Sequence, residues 1–390
     1  MTTTLRVLLD PVTAPVPGGI GRYTEELARA LIAVAPEGCA VAGVIPRSPV
    51  EERERLTTLL PGLEELIELP LPRRELHLAW RAGVTALPGR TGDGEIRSAK
   101  GMLHSANAVA PLGRHDRINE PGNQTVVTVH DVTAWTHPDA LPKGRAALLR
   151  AMVKRAHRYA DAVITPTHTV AAQLNEIHNF GDRIRVIGGA VSSKLTTPVD
   201  ADARAEALDL PERYILTAGT LEPRKRLGAL IASLAHRDSV DLPLLIAGPE
   251  GWGGVDVAAV AADHGLAPDR VRTLGFLPDA DLAVVIARAS AFVHPSVSGG
   301  FPLPVIEAFS FGVPVVHSDD PSVVEVAADA GVAVEASNDT EYPARLARAI
   351  NEVVSDEKRA SQLALLGQDR SRAYAWDSAA REVWNLHAEL

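Results

Sequence analysis

Two successive series of short apolar runs, each of strand length and separated by helical patterns, constrain this 390-residue chain more than any other feature. In the first half the runs are Leu5–Leu9, Val41–Ile45, Thr125–His130, Asp161–Thr165 and Arg185–Ile187. In the second they are Tyr214–Ala218, Leu244–Ala247, Arg272–Leu274, Ala291–His294, Val313–His317 and Val332–Val334. Such a βαβα rhythm predicts an α/β chain whose parallel sheets are covered on both faces by helices. After a Gly18–Gly21 turn, Ile20, Tyr23, Leu27, Leu31 and Val34 fall on one helical face, and an apolar run with interspersed alanines spans Asp279 to Ala289. Thr196 to Asp202 is polar with a proline and reads as a linker. Length agrees, since two domains of about 150–200 residues bury better cores than one of this size. Pro46 to Gly101 is rich in charge and proline, its pattern is weak, and a loop-rich region is expected there.

Composition excludes several classes. A 46% hydrophobic share with 23% charged residues is ordinary for a globular protein. Cys39 is alone, so no internal disulfide forms and a reducing cytosol is the expected compartment. No apolar leader opens the chain and no stretch reaches the ~18 apolar residues of a membrane span. A net charge of -10 argues against nucleic-acid binding. The charge is uneven, however: Leu141 to Ala160 carries Lys143, Arg145, Arg150, Lys154, Arg155 and Arg158 with no acid. Leu148, Leu149, Met152 and Val153 make it a basic amphipathic helix, either a solvated outer face or a surface for anionic lipid headgroups.

The densest chemistry lies in S-V-S-G-G-F-P-L-P-V-I-E-A-F-S-F-G-V-P, Ser296 to Pro314. Gly299 and Gly300 let backbone approach a ligand, Pro302 or Pro304 opens a helix, and Glu307 is expected near its positive end. A diphosphate sugar needs such N–H groups and such an acceptor. By themselves these residues equally fit the strand-loop-helix-strand unit of any α/β protein.

The segment resembles the signature of retaining nucleotide-sugar glycosyltransferases of the GT-B architecture, specifically their family-4-like, mannosyltransferase-like branch. Four further segments follow that family's order: P-G-G-I-G-R-Y (Pro17 to Tyr23), H-S-A-N (His104 to Asn107), V-T-V-H-D-V-T (Val127 to Thr133) and A-G-T-L-E-P-R-K-R-L (Ala218 to Leu227). The resemblance implies two Rossmann-like domains facing across a cleft. These are an acceptor-side domain over 1–195, which includes the loop-rich region, a nucleotide-sugar domain over 196–372, and a C-terminal helix over 373–390 crossing back to the first. It implies that Arg224 and Lys225 grip the diphosphate and that His130 hydrogen-bonds the donor sugar, with Asp131 orienting the ring or fixing the loop. Gly18, Gly19, Ser298, Gly300, Phe301 and Leu303 would approach the donor, Glu307 would hold the ribose, Phe276 would face the base, and His104 is an acceptor-side candidate. Phe276 is equally readable as a buried aromatic.

By the same resemblance the acceptor hydroxyl attacks on the face the diphosphate leaves, configuration is retained, and no metal or further cofactor is needed. The sequence departs from the pattern in three places: Gly299 stands where the family has its first glutamate, Pro302 replaces a glycine, and Thr220 replaces an arginine. The expected function is transfer of a hexosyl unit, mannose from a guanosine donor first, to a glycan, lipid-linked or small-molecule acceptor. The expected site is the cytoplasm, with contact to the inner face of the cell membrane through residues 141–160. Two rivals stand beside it. One is a noncatalytic sugar-nucleotide-binding protein, which Gly299 favours. The other is an NAD(P)-dependent Rossmann enzyme, disfavoured because G-G-I-G-R-Y is not G-x-G-x-x-G and Cys39 to Ile45 ends without a ribose-binding acid.

Overall fold

The structure, a computed structural model, describes residues 3–14, 18–98, 101–116, 119–120 and 122–390. Pro17, the first residue of the glycine motif, lies outside them. The chain packs as two units: Met1–Thr136 with Lys143–Gly189 and Ala375–Leu390, and Ala190–Tyr374 with the excursion His137–Pro142.

The first unit is built on nine strands: β1 (Thr3–Leu8), β2 (Cys39–Ile45), β3 (Leu66–Glu68), β4 (Pro88–Arg90), β5 (Ile96–Ser98), β6 (Met102–Ser105), β7 (Gln124–Thr128), β8 (Ala162–Thr165) and β9 (Ile184–Val186). Their order is β5-β4-β3-β2-β1-β6-β7-β8-β9, parallel except for the antiparallel pairs β3–β4 and β4–β5. Its helices are α1 (Gly18–Ala33), α2 (Val50–Leu59), α3 (Arg73–Ala82), α4 (Thr133–Thr136), α5 (Arg145–Tyr159) and α6 (His168–Ile177). Central strands such as β7 and β8 are buried at every residue, as helices on both faces require.

The second unit holds β10 (Ile215–Ala218), β11 (Leu244–Ala247), β12 (Val271–Gly275), β13 (Ala291–His294), β14 (Val315–Ser318) and β15 (Gly331–Val334), all parallel, in the order β12-β11-β10-β13-β14-β15. Around them lie α7 (Ala201–Ala207), α8 (Leu227–Leu234), α9 (Val257–Asp263), α10 (Asp279–Ala287), α11 (Leu303–Ser310), α12 (Pro321–Ala327), α13 (Tyr342–Ser355) and α14 (Glu357–Arg372). The two-residue period of a strand divides the core into two layers: Ile215, Leu244, Ile246 and Val293 enter one, and Leu216, Leu245 and Phe292 the other.

One helix then returns. In α15 (Trp376–Glu389) the residues Trp376, Ala380, Val383 and Trp384 are buried in the first unit, and the Trp384 indole donates to the Leu31 carbonyl of α1 at 3.1 Å.

Three local expectations need correction. Residues 46–101 are not a loop region: they form α2, β3, α3, β4 and β5. Their strands are three residues long and α2 buries only Leu56, so neither shows a readable period. Gly18 and Gly19 do not form a turn; they open α1, with Gly18 at φ +58°. The apolar side of α5 is not a free face. Met152, Val153 and Ala156 are buried in the core, Arg150 donates to the Ala134 carbonyl at 2.7 Å, and the Arg155 guanidinium donates to the Leu112 carbonyl. Lys154 and Arg158 remain exposed. Among the described residues no helix is long and apolar enough to cross a membrane.

Candidate functional site

In the second unit the strand order reverses between β10 and β13, the chain running outward through β11 and β12 on one side and β14 and β15 on the other. Loops leaving the carboxyl ends of two such strands diverge and leave a crevice, where open parallel sheets hold their ligands. The loop after β10 ends in a 3-10 turn at Pro223–Lys225, and the loop after β13 leads into α11. Arg224 ties them together. Its Nη1 donates to the Ser298 carbonyl at 3.0 Å, while its own carbonyl accepts from Ser296 Oγ at 3.2 Å and the Val297 amide at 3.3 Å. Its guanidinium pairs with buried Glu222 at 2.5 Å.

Lys225 folds back over Gly219, where φ is +135° and an added Cβ would lie 3.4 Å from Lys225 Cε. Burial first, then the neighbouring Arg224, push the Lys225 ammonium down to about 7, with Glu222 opposing them. His294, buried at the end of β13, is held neutral by burial and then by Lys225, His317 and Arg224. One carboxylate thus faces both side chains, and an incoming anion finds the Arg224 guanidinium already placed, with Lys225 beside it taking up its proton near pH 7. Gly248 lets the β11 loop close on this turn: at φ +146°, a Cβ there would stand 2.1 Å from the Gly219 carbonyl oxygen. Thr220, in the place of the family's arginine, packs by its methyl against Gly251, and Arg226 turns away to Asp339 at 2.5 Å.

Around α11 the expectations fare unevenly. Pro302 caps the helix and Pro304 lies in its first turn, but Glu307 is in the second turn, buried, rather than at the positive end. The Leu303 amide is not available to a ligand, because it donates to the Phe301 carbonyl at 3.0 Å. The Gly300 and Phe301 amides make no hydrogen bond among the described residues, while the Phe301 ring packs edge-on against Tyr374 at 5.3 Å. Ser298 is buried beside Arg224, and Gly299 has open space where a side chain would grow. Phe276, after β12, is 72% exposed, which overturns the buried alternative.

The first unit has its own reversal, between β1 and β6. Asp10 follows β1 and is 1% exposed. His77 Nε2 lies 2.8 Å from its Oδ2, and Asn107 Nδ2, from the loop after β6, donates to Oδ1 at 3.4 Å. Arg73 of α3 donates from Nε to the Asp10 carbonyl at 3.0 Å and stands 3.7 Å from its carboxylate. One strand further on, His130 Nε2 donates to the Ala106 carbonyl at 2.7 Å, which leaves Nδ1 as its only nitrogen for a ligand. Burial lowers its proton affinity, and Tyr23 of α1 packs edge-on against its ring at 4.8 Å. Asp131 fixes its own loop by accepting from the Thr133 amide at 2.9 Å.

His104 is not a site residue of this crevice. It lies within β6, fully buried, its ring 5.7 Å from that of His387 in α15. Asp10, Arg73 and His77 belong to none of the motifs quoted from sequence, while Asn107 enters there only as the end of H-S-A-N and His294 only as the end of a strand. The available signal was position alone, since Asp10, Asn107 and His294 each end or closely follow a strand.

The family model described as glycosyl transferases group 1 matches residues 199–369, and that described as glycosyltransferase family 4 matches residues 17–194. The O-antigen chain mannosyltransferase B of Escherichia coli is 29% identical over 98% of this chain and 98% of its own length. The O-antigen chain mannosyltransferase RfbU of Salmonella typhimurium is 28% identical over 52% of this chain and 54% of its own. Among solved structures, HepE of Anabaena in complex with UDP and glucose superposes with a TM-score of 0.73 at 16% identity, covering 100% of both chains. The sucrose-phosphate synthase of Thermosynechococcus elongatus does so with a TM-score of 0.72 at 20% identity, covering 99% of this chain and 98% of its own. With one family match over each half and two parallel-sheet α/β domains in the same order, the chain belongs to the GT-B glycosyltransferases of the family-4-like branch.

Proposed function

We propose that the protein moves a hexosyl unit, mannose from a guanosine donor first, from a nucleoside-diphosphate sugar to a glycan, lipid-linked or small-molecule acceptor, with retention of configuration and without a metal. The observation that carries this reading is the turn at Pro223–Lys225 with the loop after β13, where Lys225 and a clamped Arg224 stand at a strand-order reversal. As the glycosidic bond breaks, charge grows on the leaving diphosphate, and these cations stabilise that state more than the bound donor. In this mechanism a departing phosphate oxygen takes the acceptor proton, Glu307 holds the ribose, Ser298 and the Gly300 and Phe301 amides meet the donor, Gly18 and Gly19 approach its phosphates, and Phe276 meets the base. His130 Nδ1 contacts the sugar. Mannose rests on the two O-antigen mannosyltransferases among the relatives. We further place the protein in the cytoplasm, in contact with the inner face of the cell membrane through residues 141–160, of which Lys154 and Arg158 are exposed on α5.

A thermal-shift panel of nucleoside-diphosphate sugars identifies the donor, because a specific ligand stabilises the native state by mass action. Arg224→Ala combined with Lys225→Ala then lowers transfer by about a hundredfold or more; near-normal turnover removes both from the mechanism. Gly299, in place of the family's first glutamate, favours a second reading, a protein that binds the donor without transferring it. Donor binding without transfer to any acceptor, unrescued by Gly299→Glu, selects that reading.

A further inference from the structure

The loop after β11, residues 248–254, lies flat on the turn that leads to Arg224 and Lys225. The Leu221 amide donates to the Pro249 carbonyl at 3.1 Å, and Leu221 pairs with Glu250 as in a short parallel bridge. A Cβ on Gly251 would stand 2.4 Å from the Leu221 carbonyl oxygen, and one on Gly253, at φ +87°, would stand 2.5 Å from Pro223 Cγ. Only glycine lets the two backbones come this close, but a loop with Gly248, Gly251, Gly253 and Gly254 loses much entropy when it is ordered. Of its other residues Glu250 is exposed, which leaves half-buried Trp252 as the large side chain able to fix it. The Trp252 indole Nε1 donates to the Ala140 carbonyl at 2.9 Å. Ala140 lies in the excursion His137–Pro142, which packs in the second unit although Thr136 and Lys143 on either side of it belong to the first. There the Ala140 and Leu141 amides bond the His137 and Pro138 carbonyls at 3.0 and 3.2 Å, so the Ala140 carbonyl is left to the indole.

We infer that Trp252 is a positioning residue for transfer: by clasping the Ala140 carbonyl it holds the glycine-rich loop 248–254 against Thr220 to Pro223, and so keeps Arg224 and Lys225 placed for the donor diphosphate. An indole suits the task because its N–H only donates and its ring adds contact area at little rotamer cost. The excursion supplies an anchor from outside the sheet, since its chain is tied at both ends to the first unit. The inference rests on the glycosyl-transfer reading for the diphosphate, whereas the hold of Trp252 on the loop does not depend on it.

The test compares the unaltered chain with Trp252→Phe, which keeps a ring and removes the N–H, with Gly253→Ala, which pushes Pro223 from the loop, and with Lys225→Met as the donor-site control. Melting curves confirm folding. Hydrogen exchange at the Leu221 amide reads the loop contact without a donor, and calorimetry with guanosine diphosphate mannose and uridine diphosphate glucose reads affinity from pH 6 to pH 8.5. In Trp252→Phe the exchange is expected to quicken about fivefold and donor affinity at pH 6 to fall by a similar factor, the worth of one hydrogen bond. Water then reaches Lys225, so the midpoint of its pH dependence rises by about half a unit or more, a change that a loss of overall stability does not produce. Glu222, Arg224 and His294, the charged and titratable groups around Lys225, are unaltered in Trp252→Phe, so the shift reports hydration. Gly253→Ala is expected to act in the same direction. A midpoint that stays in place in Trp252→Phe overturns the inference, even if exchange quickens, and a loss of affinity in Lys225→Met then leaves the donor reading intact. Where neither sugar nucleotide binds the unaltered chain the donor reading falls and the positioning role with it, and the exchange rates alone decide the hold on the loop, a rate within twofold of the unaltered chain overturning that as well.

Discussion

With Lys225 gripping the donor diphosphate as proposed, donor binding becomes a proton-linked event. Its ammonium is pushed down to about 7 by burial and by Arg224, so above that pH the empty protein holds it mostly neutral. A diphosphate favours the charged form and raises the value again. Affinity is therefore full below pH 7 and falls as pH rises, by a factor of one plus ten to the power of pH minus 7. Between pH 6 and pH 8.5 that is a loss of about thirtyfold, or about 2 kcal/mol. The neighbours do not obscure it: His294 is held neutral well below this range. An intact sugar nucleotide is the proper ligand, because its diphosphate is a diester without a proton to lose near neutrality. Calorimetry in two buffers of different ionisation heat at pH 8 reads the uptake directly, about 0.9 proton per donor bound. Lys225→Arg keeps the charge and flattens the profile, and Lys225→Met flattens it at weaker affinity. A dissociation constant steady within about twofold across the range, or a slope that persists in Lys225→Met, refutes the reasoning.

Other consequences are as direct. Burial lowers His104 to about 4 and His387 to about 3, the latter also through His104, so both stay neutral in the fold while the unfolded chain takes up protons below about 6.5. Stability is full above that pH and falls as pH drops toward 4, by up to about 1.4 kcal/mol per unit for each imidazole; denaturant curves on His104→Leu should lose one such increment of slope, His130, His294 and His317 keeping theirs. Gly248→Ala puts a methyl group into the Gly219 carbonyl at a φ that side chains rarely adopt, and should cost about 2 kcal/mol or more in the same assay, with loss of donor binding. Gly299→Glu grows into open space and should leave the melting temperature unchanged within about 2 °C. Trp384→Ala removes a buried ring and its bond to Leu31, and should cost about 3–5 kcal/mol by denaturant titration.

The long apolar strands were legible because burial on both faces removes polar residues from them: Leu244–Ala247 and Ala291–His294 stand in the structure with the bounds read from sequence. The region 46–101 was not, since β3, β4 and β5 are fixed by neighbours rather than by pattern, β5 being exposed at every residue. At the donor loop, Arg224 and Lys225 could be named from their motif, but the carboxylate of Glu222 that clamps Arg224 gives no periodic signal. The cluster around Asp10 was invisible for a plainer reason. His77 and Asn107 lie 67 and 97 residues away along the chain; α3 brings the first to Asp10 and the return of β6 beside β1 brings the second.

The return of α15 to the first unit has a consequence for the order of synthesis. The domain begun first on the ribosome lacks the helix carrying Trp376 and Trp384 until residues 376–389 have emerged, whereas the other domain already has its whole sheet and α14. Domains fold as units during translation. The earlier of the two domains therefore waits with an uncovered apolar wall until residues 376–389 arrive, and a message cut short before that helix yields one finished domain joined to one that is exposed to chaperones and proteases.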